Sequence, residues 1–166
     1  MYHLAQVNIG RMRAPLSDPQ MAGFVAQLEP INALADTSPG FVWRLQTEDG
    51  DATTLRPYED DSILLNLSVW RSLDDLYAFT YNSEHRQVMK QRRQWFEKFE
   101  SVYVALWWVP AGHIPDTEEA KERLEYLRTH GETPYAFSYK KAFPAPDETV
   151  ERYIIEIEPE LLQCGD

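Results

Sequence analysis

Two of the four histidines in this chain stand where they could do chemistry. Placed on a helical wheel at about 100° per residue, residues 83–99 bring His85, Val88, Met89, Arg92, Trp95, Phe96 and Phe99 onto one face. A histidine among apolar neighbours on such a face is an acid/base group or ligand turned toward a cavity, or a core histidine satisfied by a backbone carbonyl. An inward guanidinium at Arg92 needs an anion or carboxylate beside it, and that partner is either a bound molecule or part of the fold. Spacing leaves both pairs of readings open. His113 follows Gly112 in a stretch framed by Pro110 and Pro115, whose restricted backbones would fix its position. It is carried as a second candidate catalytic residue, with an exposed structural role as the alternative.

Other residues could orient a ligand. In 62–70, Leu65, Leu67 and Val69 point one way, and Leu64, Asn66, Ser68 and Trp70 the other. Asn66 and Ser68 then lie mid-strand, where buried polar groups must find partners across an interface or in a pocket. Trp70 ends the strand, as a core plug or as a platform for a ligand. Arg86, Lys90 and Arg93 form a basic stripe on another side of the same helix, and a solvated face explains them.

The chain lacks a glycine-rich phosphate loop, a GxSxG elbow, an HExxH pair and paired cysteines. This disfavours ATP, NAD and structural zinc, and no metal site is expected. Asp49, Asp51, Glu59, Asp60 and Asp61 lack the alternation of a calcium loop and read as a solvated hairpin loop. The single cysteine, Cys164, excludes an intrachain disulfide. A formal charge of -11 makes nucleic acid and membrane poor partners. With no apparent secretory signal, the expected location is cytoplasmic.

The elements that must position these residues follow from periodicity. Residues 2–10 read as a strand. Ser17-Asp18-Pro19 opens a helix that carries Phe24, Val25, Leu28, Ile31 and Leu34, with Pro30 kinking or restarting it. Ser38-Pro39-Gly40 ends that helix, and 41–46 and 62–70 are strands. Helical pieces at 72–81 and 83–99 precede a strand at 101–109. The order is strand, helix, strand, strand, helix, strand, an α+β fold of the ferredoxin-like split βαβ type with an antiparallel sheet. Helices on one face leave the other open, and a homodimer is the expected way to cover it. Asp116 and Glu119 have capping-box spacing before a helix that Gly131 stops, and Phe137, Tyr139 and Phe143 suggest a fifth strand. Residues 1–145 thus form one domain with a helix–strand extension. Residues 146–166 form an acidic tail, with Ile154, Ile155 and Ile157 as a strand against the partner.

The run VWRSLDDLYAFTYNSEHRQVMKQRRQWFEKF resembles the antibiotic-biosynthesis monooxygenases of the dimeric α/β-barrel superfamily. More closely, PINALADTSPGFVWRLQ and LWWVPAGHIPDTEEAKERLEYLRTHGETPYAF resemble an uncharacterised bacterial domain-of-unknown-function family within it. The resemblance implies a dimeric α/β barrel, a homodimer and a cavity between sheet and helices, and no known reaction. Relatives in the superfamily include cofactor-free quinone-forming, heme-degrading and heme-dependent carotenoid monooxygenases. The heme degraders use an asparagine on the first strand, a tryptophan ending the third and a helical histidine; Asn8, Trp70 and His85 are the nearest matches. Ala78 to His85 is similar to the carotenoid enzymes' AFxYxxxH. Heme therefore stands as a cofactor option, with His85 its ligand. The expectation is a protein binding a small apolar or aromatic molecule, with or without oxidising it. Its site would comprise His85, His113, Asn8, Asn66, Trp70 and Arg92.

Overall fold

The computed structural model describes residues 1–147. The tail strand and Cys164 lie outside the described residues. Eight elements follow in order: β1 (Tyr2–Arg11), α1 (Ala22–Thr37), β2 (Phe41–Arg44), β3 (Ile63–Trp70), α2 (Leu73–Asn82), α3 (His85–Gln91), β4 (Val104–Pro110) and α4 (Thr117–His130). The strands form one antiparallel sheet in the order β2-β3-β1-β4, as the ferredoxin-like reading requires.

Local chemistry sets most of the boundaries. Asp18 caps a short 3-10 turn at Pro19–Met21 by accepting from Gln20 N at 2.8 Å, and α1 continues from it. Pro30 does not restart that helix: α1 runs unbroken from Ala22 to Thr37. A proline removes one donor, and a helix held at both ends can absorb that loss. Ser72 caps α2, accepting from Asp75 N and donating to Asp75 Oδ2. Asp116 caps α4 through Glu119 N at 2.8 Å, and Gly131, at φ 74°, ends it by donating to the Leu127 carbonyl.

Two expectations need correction. The helix expected over 83–99 ends at Gln91, passes through a 3-10 turn at Arg92–Gln94 and becomes extended. β4 pairs with β1 only from Tyr2 to Asn8, so the far end of β1 still has backbone groups to satisfy. Arg13 N donates to the Trp95 carbonyl and Glu97 N to the Arg11 carbonyl. The fifth strand reduces to one bridge, in which Phe137 and Leu106 exchange both backbone bonds. Tight turns at Thr133–Ala136 and Ser138–Lys141 flank that bridge and prevent its extension.

The sheet is covered on both faces. Leu4, Trp70, Leu76 and Ala35 pack on the side of α1 and α2. On the other side, Val7, Leu67, Val69 and Trp107 pack beneath Ala120, Leu124 and Leu127 of α4, with Leu45 and Tyr58 beside them. The open face expected to recruit a second chain is therefore absent in this chain, because its own α4 occupies it. No helix among the described residues is long and apolar enough to cross a membrane.

Candidate functional site

Between the sheet and the helices α1, α2 and α3 lies a cavity of about 680 Å³, within the size range of small-molecule sites. Its floor follows from strand alternation. Gln6, Asn8 and Gly10 of β1 face it, opposite Ser68, Asn66 and Leu64 of β3 in antiparallel register. The first two rows are polar and the third apolar. Ser68 Oγ accepts from Trp70 Nε1 at 3.0 Å and meets Gln6 Oε1 at 3.1 Å. Ser68 must then donate to the Gln6 carbonyl oxygen, which leaves the Gln6 amide donors for the cavity. Asn66 is exposed to the cavity and Asn8 half-buried, and neither side chain bonds another group among the described residues.

One end of the cavity is built around His85. Ser83 Oγ bonds the Phe79 carbonyl and accepts from His85 N at 3.2 Å, fixing the turn between α2 and α3. His85 Nδ1 lies 3.3 Å from the Thr80 carbonyl. A carbonyl can only accept, so Nδ1 carries the proton and Nε2 keeps its lone pair. The imidazole packs on Phe79 at 4.8 Å between centroids, and Phe79 stacks on Trp70 at 5.0 Å. Burial lowers the pKa of His85 from its usual 6.5, the Thr80 carbonyl opposing, so the ring is neutral at pH 7. Thr80 Oγ1 lies 3.4 Å from the Tyr139 hydroxyl. Burial pushes that phenol up to about 12, which keeps it a neutral donor.

Arg92 stands at the other end, where α3 gives way to the 3-10 turn. Its Nη2 donates to the Ile9 carbonyl at 3.1 Å, and its guanidinium lies 4.5 Å from the Tyr103 ring centroid and 5.6 Å from that of Phe96. Burial lowers its pKa from 12.5, with Tyr103 opposing, yet a guanidinium stays charged at neutral pH. Among the described residues no carboxylate forms an ion pair with it. The structural partner left open by the sequence is thus a backbone carbonyl and two rings, and the remaining donors form no ion pair among the described residues.

His85, Val88, Met89, Arg92, Trp95 and Phe96 all line the cavity, while Phe99 stacks on Tyr103 toward the opposite core. Five of the six expected residues, Asn8, Asn66, Trp70, His85 and Arg92, come together there. Trp70 is only 1% exposed, so it backs Phe79 rather than presenting a face. His113 is not part of the site. Its Nε2 lies 2.7 Å from Glu119 Oε2 on α4, and Glu119 also accepts from Trp107 Nε1, on the far side of the sheet. This placement agrees with its structural alternative, the turn at Gly112, at φ 95°, setting the loop beside α4. Gln6, Thr80 and Tyr139 were missed. Gln6 had a legible signal, since it sits two residues from Asn8 and shares its strand face. Thr80 acts through its backbone carbonyl, which no residue type announces. Among the described residues no group of three or more His, Cys, Asp or Glu could hold a metal ion.

The family signature DUF3291, a domain of unknown function, matches residues 3–153. The chain belongs to this family. Among curated proteins, none matches it. Two solved structures from Nitrosomonas europaea are similar to this DUF3291 chain, each at 14% identity. One is the NE2512 protein of unknown function, with a TM-score of 0.45 over 70% of this chain and 97% of that one. The other, provisionally named an antibiotic biosynthesis monooxygenase, has a TM-score of 0.39 over 68% of this chain and 90% of that one. Neither likeness bears on what the DUF3291 site does.

Proposed function

We propose that the chain binds a small, largely apolar or aromatic molecule between its sheet and helices, and that His85 acts on it as an acid/base group in a monooxygenase-type oxidation. The fixed tautomer of His85 carries this reading. With Nδ1 committed to the Thr80 carbonyl, Nε2 is the basic nitrogen, and burial keeps it unprotonated at neutral pH. Asn8 and Asn66 offer hydrogen bonds from the floor, and Arg92 takes an anionic oxygen. The chemistry is proton removal by Nε2, followed by reaction of the electron-rich ligand with dioxygen as co-reactant. A methylene carbon would then become a carbonyl, with its two hydrogens and the second oxygen atom leaving as water.

Heme is the cofactor that the superfamily resemblance brings into question, and the residues fit it at one position. A neutral imidazole whose other nitrogen donates to a carbonyl has the arrangement common to metal-bound histidines, and Arg92 suits a propionate. Heme would supply oxygen activation, while His85 and Arg92 bind and orient the group. The homodimer is kept as a proposal for a surface other than the sheet face that α4 covers.

A second reading has its own observation. Carbonyl partners for both His85 and Arg92 are also what a non-catalytic binding or structural module needs to keep two polar groups satisfied. Oxygen uptake with candidate aromatic substrates, alongside a hemin titration followed by absorbance, separates the readings. A saturable heme band lost in His85→Ala supports the heme form, and uptake without heme the cofactor-free form. Saturable ligand binding with neither outcome, and affinity unchanged in His85→Ala, leaves the non-catalytic module.

A further inference from the structure

We infer that the cavity selects an elongated aromatic carboxylate bearing a hydroxyl at the end opposite the carboxylate; this rests on the ligand-binding reading above. The two ends of the cavity offer opposite hydrogen-bonding chemistry. At the His85 end the free nitrogen is Nε2, an acceptor, because Nδ1 is bound to the Thr80 carbonyl. An acceptor bonds a donor, so Nε2 takes a hydroxyl and offers nothing to a carboxylate.

At the Arg92 end the guanidinium offers donors. One guanidinium nitrogen is held by the Ile9 carbonyl, and the group lies against Tyr103 and Phe96. Its remaining donors form no ion pair with a carboxylate among the described residues. Glu100 also lines the cavity but forms no ion pair with Arg92. A half-buried, rigidly seated guanidinium in this condition matches a carboxylate, which it can bind by two parallel bonds.

The ends are seven residues apart, spanning α3 and the first residue of the 3-10 turn, a separation of about 10 Å along the helix axis. The Asn8–Asn66 pair lies in the floor, and Phe96 closes the Arg92 end by packing over Gly10, so close that an added Cβ would stand 2.7 Å from its ring. The space between the heads is suited to a flat ring with a short conjugated arm. A hydroxycinnamate has this layout, with its phenol and carboxylate at opposite ends.

The test uses three probes on the full chain: para-coumarate with both heads, cinnamate with the carboxylate alone and para-propylphenol with the hydroxyl alone. Calorimetric titrations are run on the wild type, Arg92→Gln and His85→Phe, with thermal melts to check folding. Para-coumarate should bind tightest. Arg92→Gln should weaken the two carboxylates by at least about tenfold and spare para-propylphenol, and His85→Phe should weaken only the two hydroxylated probes. If either variant fails to fold, the ranking of the three probes on the wild type still decides. Equal affinity for all three, or losses in each variant that ignore the probe's head groups, overturns the two-ended assignment but leaves the cavity a binding site. Failure of all three to bind the folded wild type overturns both the assignment and the ligand-binding reading.

Discussion

Burying an imidazole with no carboxylate acting on it among the described residues ties the stability of this fold to pH. His85 has its pKa held below 6.5 by desolvation, so in the folded chain it resists protonation while the unfolded chain accepts a proton at the ordinary value. Between the two values the unfolded state binds more protons, and stability falls as pH drops through 6.5. The wild type should therefore lose more of its urea midpoint than His85→Gln when pH is lowered from about 7.5 to about 5.5. Other titrating groups are common to both proteins, so the difference isolates His85; parallel pH profiles would mean that the ring is not desolvated. Trp70 acts at the same scale by packing. It supports Phe79, which supports His85, and its Nε1 holds Ser68. Trp70→Ala should cost about 3–5 kcal/mol, read by chemical denaturation. A cost near zero would place the tryptophan at a ligand surface instead of in the core.

At the scale of elements, the site depends on where α2 and α3 begin and end. Ser72 is a reciprocal cap, engaging both the amide and the carboxylate of Asp75. Ser72→Ala should lower stability by about 1 kcal/mol, measured by urea denaturation. Because α2 carries the Thr80 carbonyl, the substitution should also loosen the His85 seat, read in an NMR titration as an imidazole pKa falling further below 6.5 as the bond that opposes desolvation weakens. These starts were legible, since Asp18, Ser72 and Asp116 each announce a helix by a side chain that can cap it. The strand faces were legible too, and alternation placed Asn66, Ser68 and Trp70 on the cavity side of β3. The end of α3 was not. The 83–99 pattern is helical throughout, but a periodic sequence carries no record of the unpaired edge of β1 that draws Trp95 and Glu97 into extended pairing. His85 and Arg92 kept their shared cavity because both precede the point where the chain becomes extended. The two readings of His113 stayed open for a related reason: glycine and proline show that a loop is fixed, and say nothing of its direction.

At the scale of the whole molecule, α4 decides what the sheet can do. A ferredoxin-like sheet with helices on one side has an apolar face to hide, and a partner chain is one solution. Here α4 performs that task within the chain. Leu124 is 1% exposed, amid Val7, Leu67 and Trp107 on the face away from the cavity. A charge introduced there separates the two ways of covering the sheet. Leu124→Ala should cost about 2–5 kcal/mol through the cavity it leaves, with little effect on probe binding because the ligand side lies across the sheet. Leu124→Asp should go further: a buried unpaired carboxylate is costly enough to lift α4 from the sheet, and the released apolar face should then drive association. Light scattering at micromolar concentration should show the Leu124→Asp chain at a larger mass than the wild type. Unchanged mass, with a melt as cooperative as the wild type's, would mean that α4 is dispensable to the sheet, and the argument that it stands in a partner's place would fall.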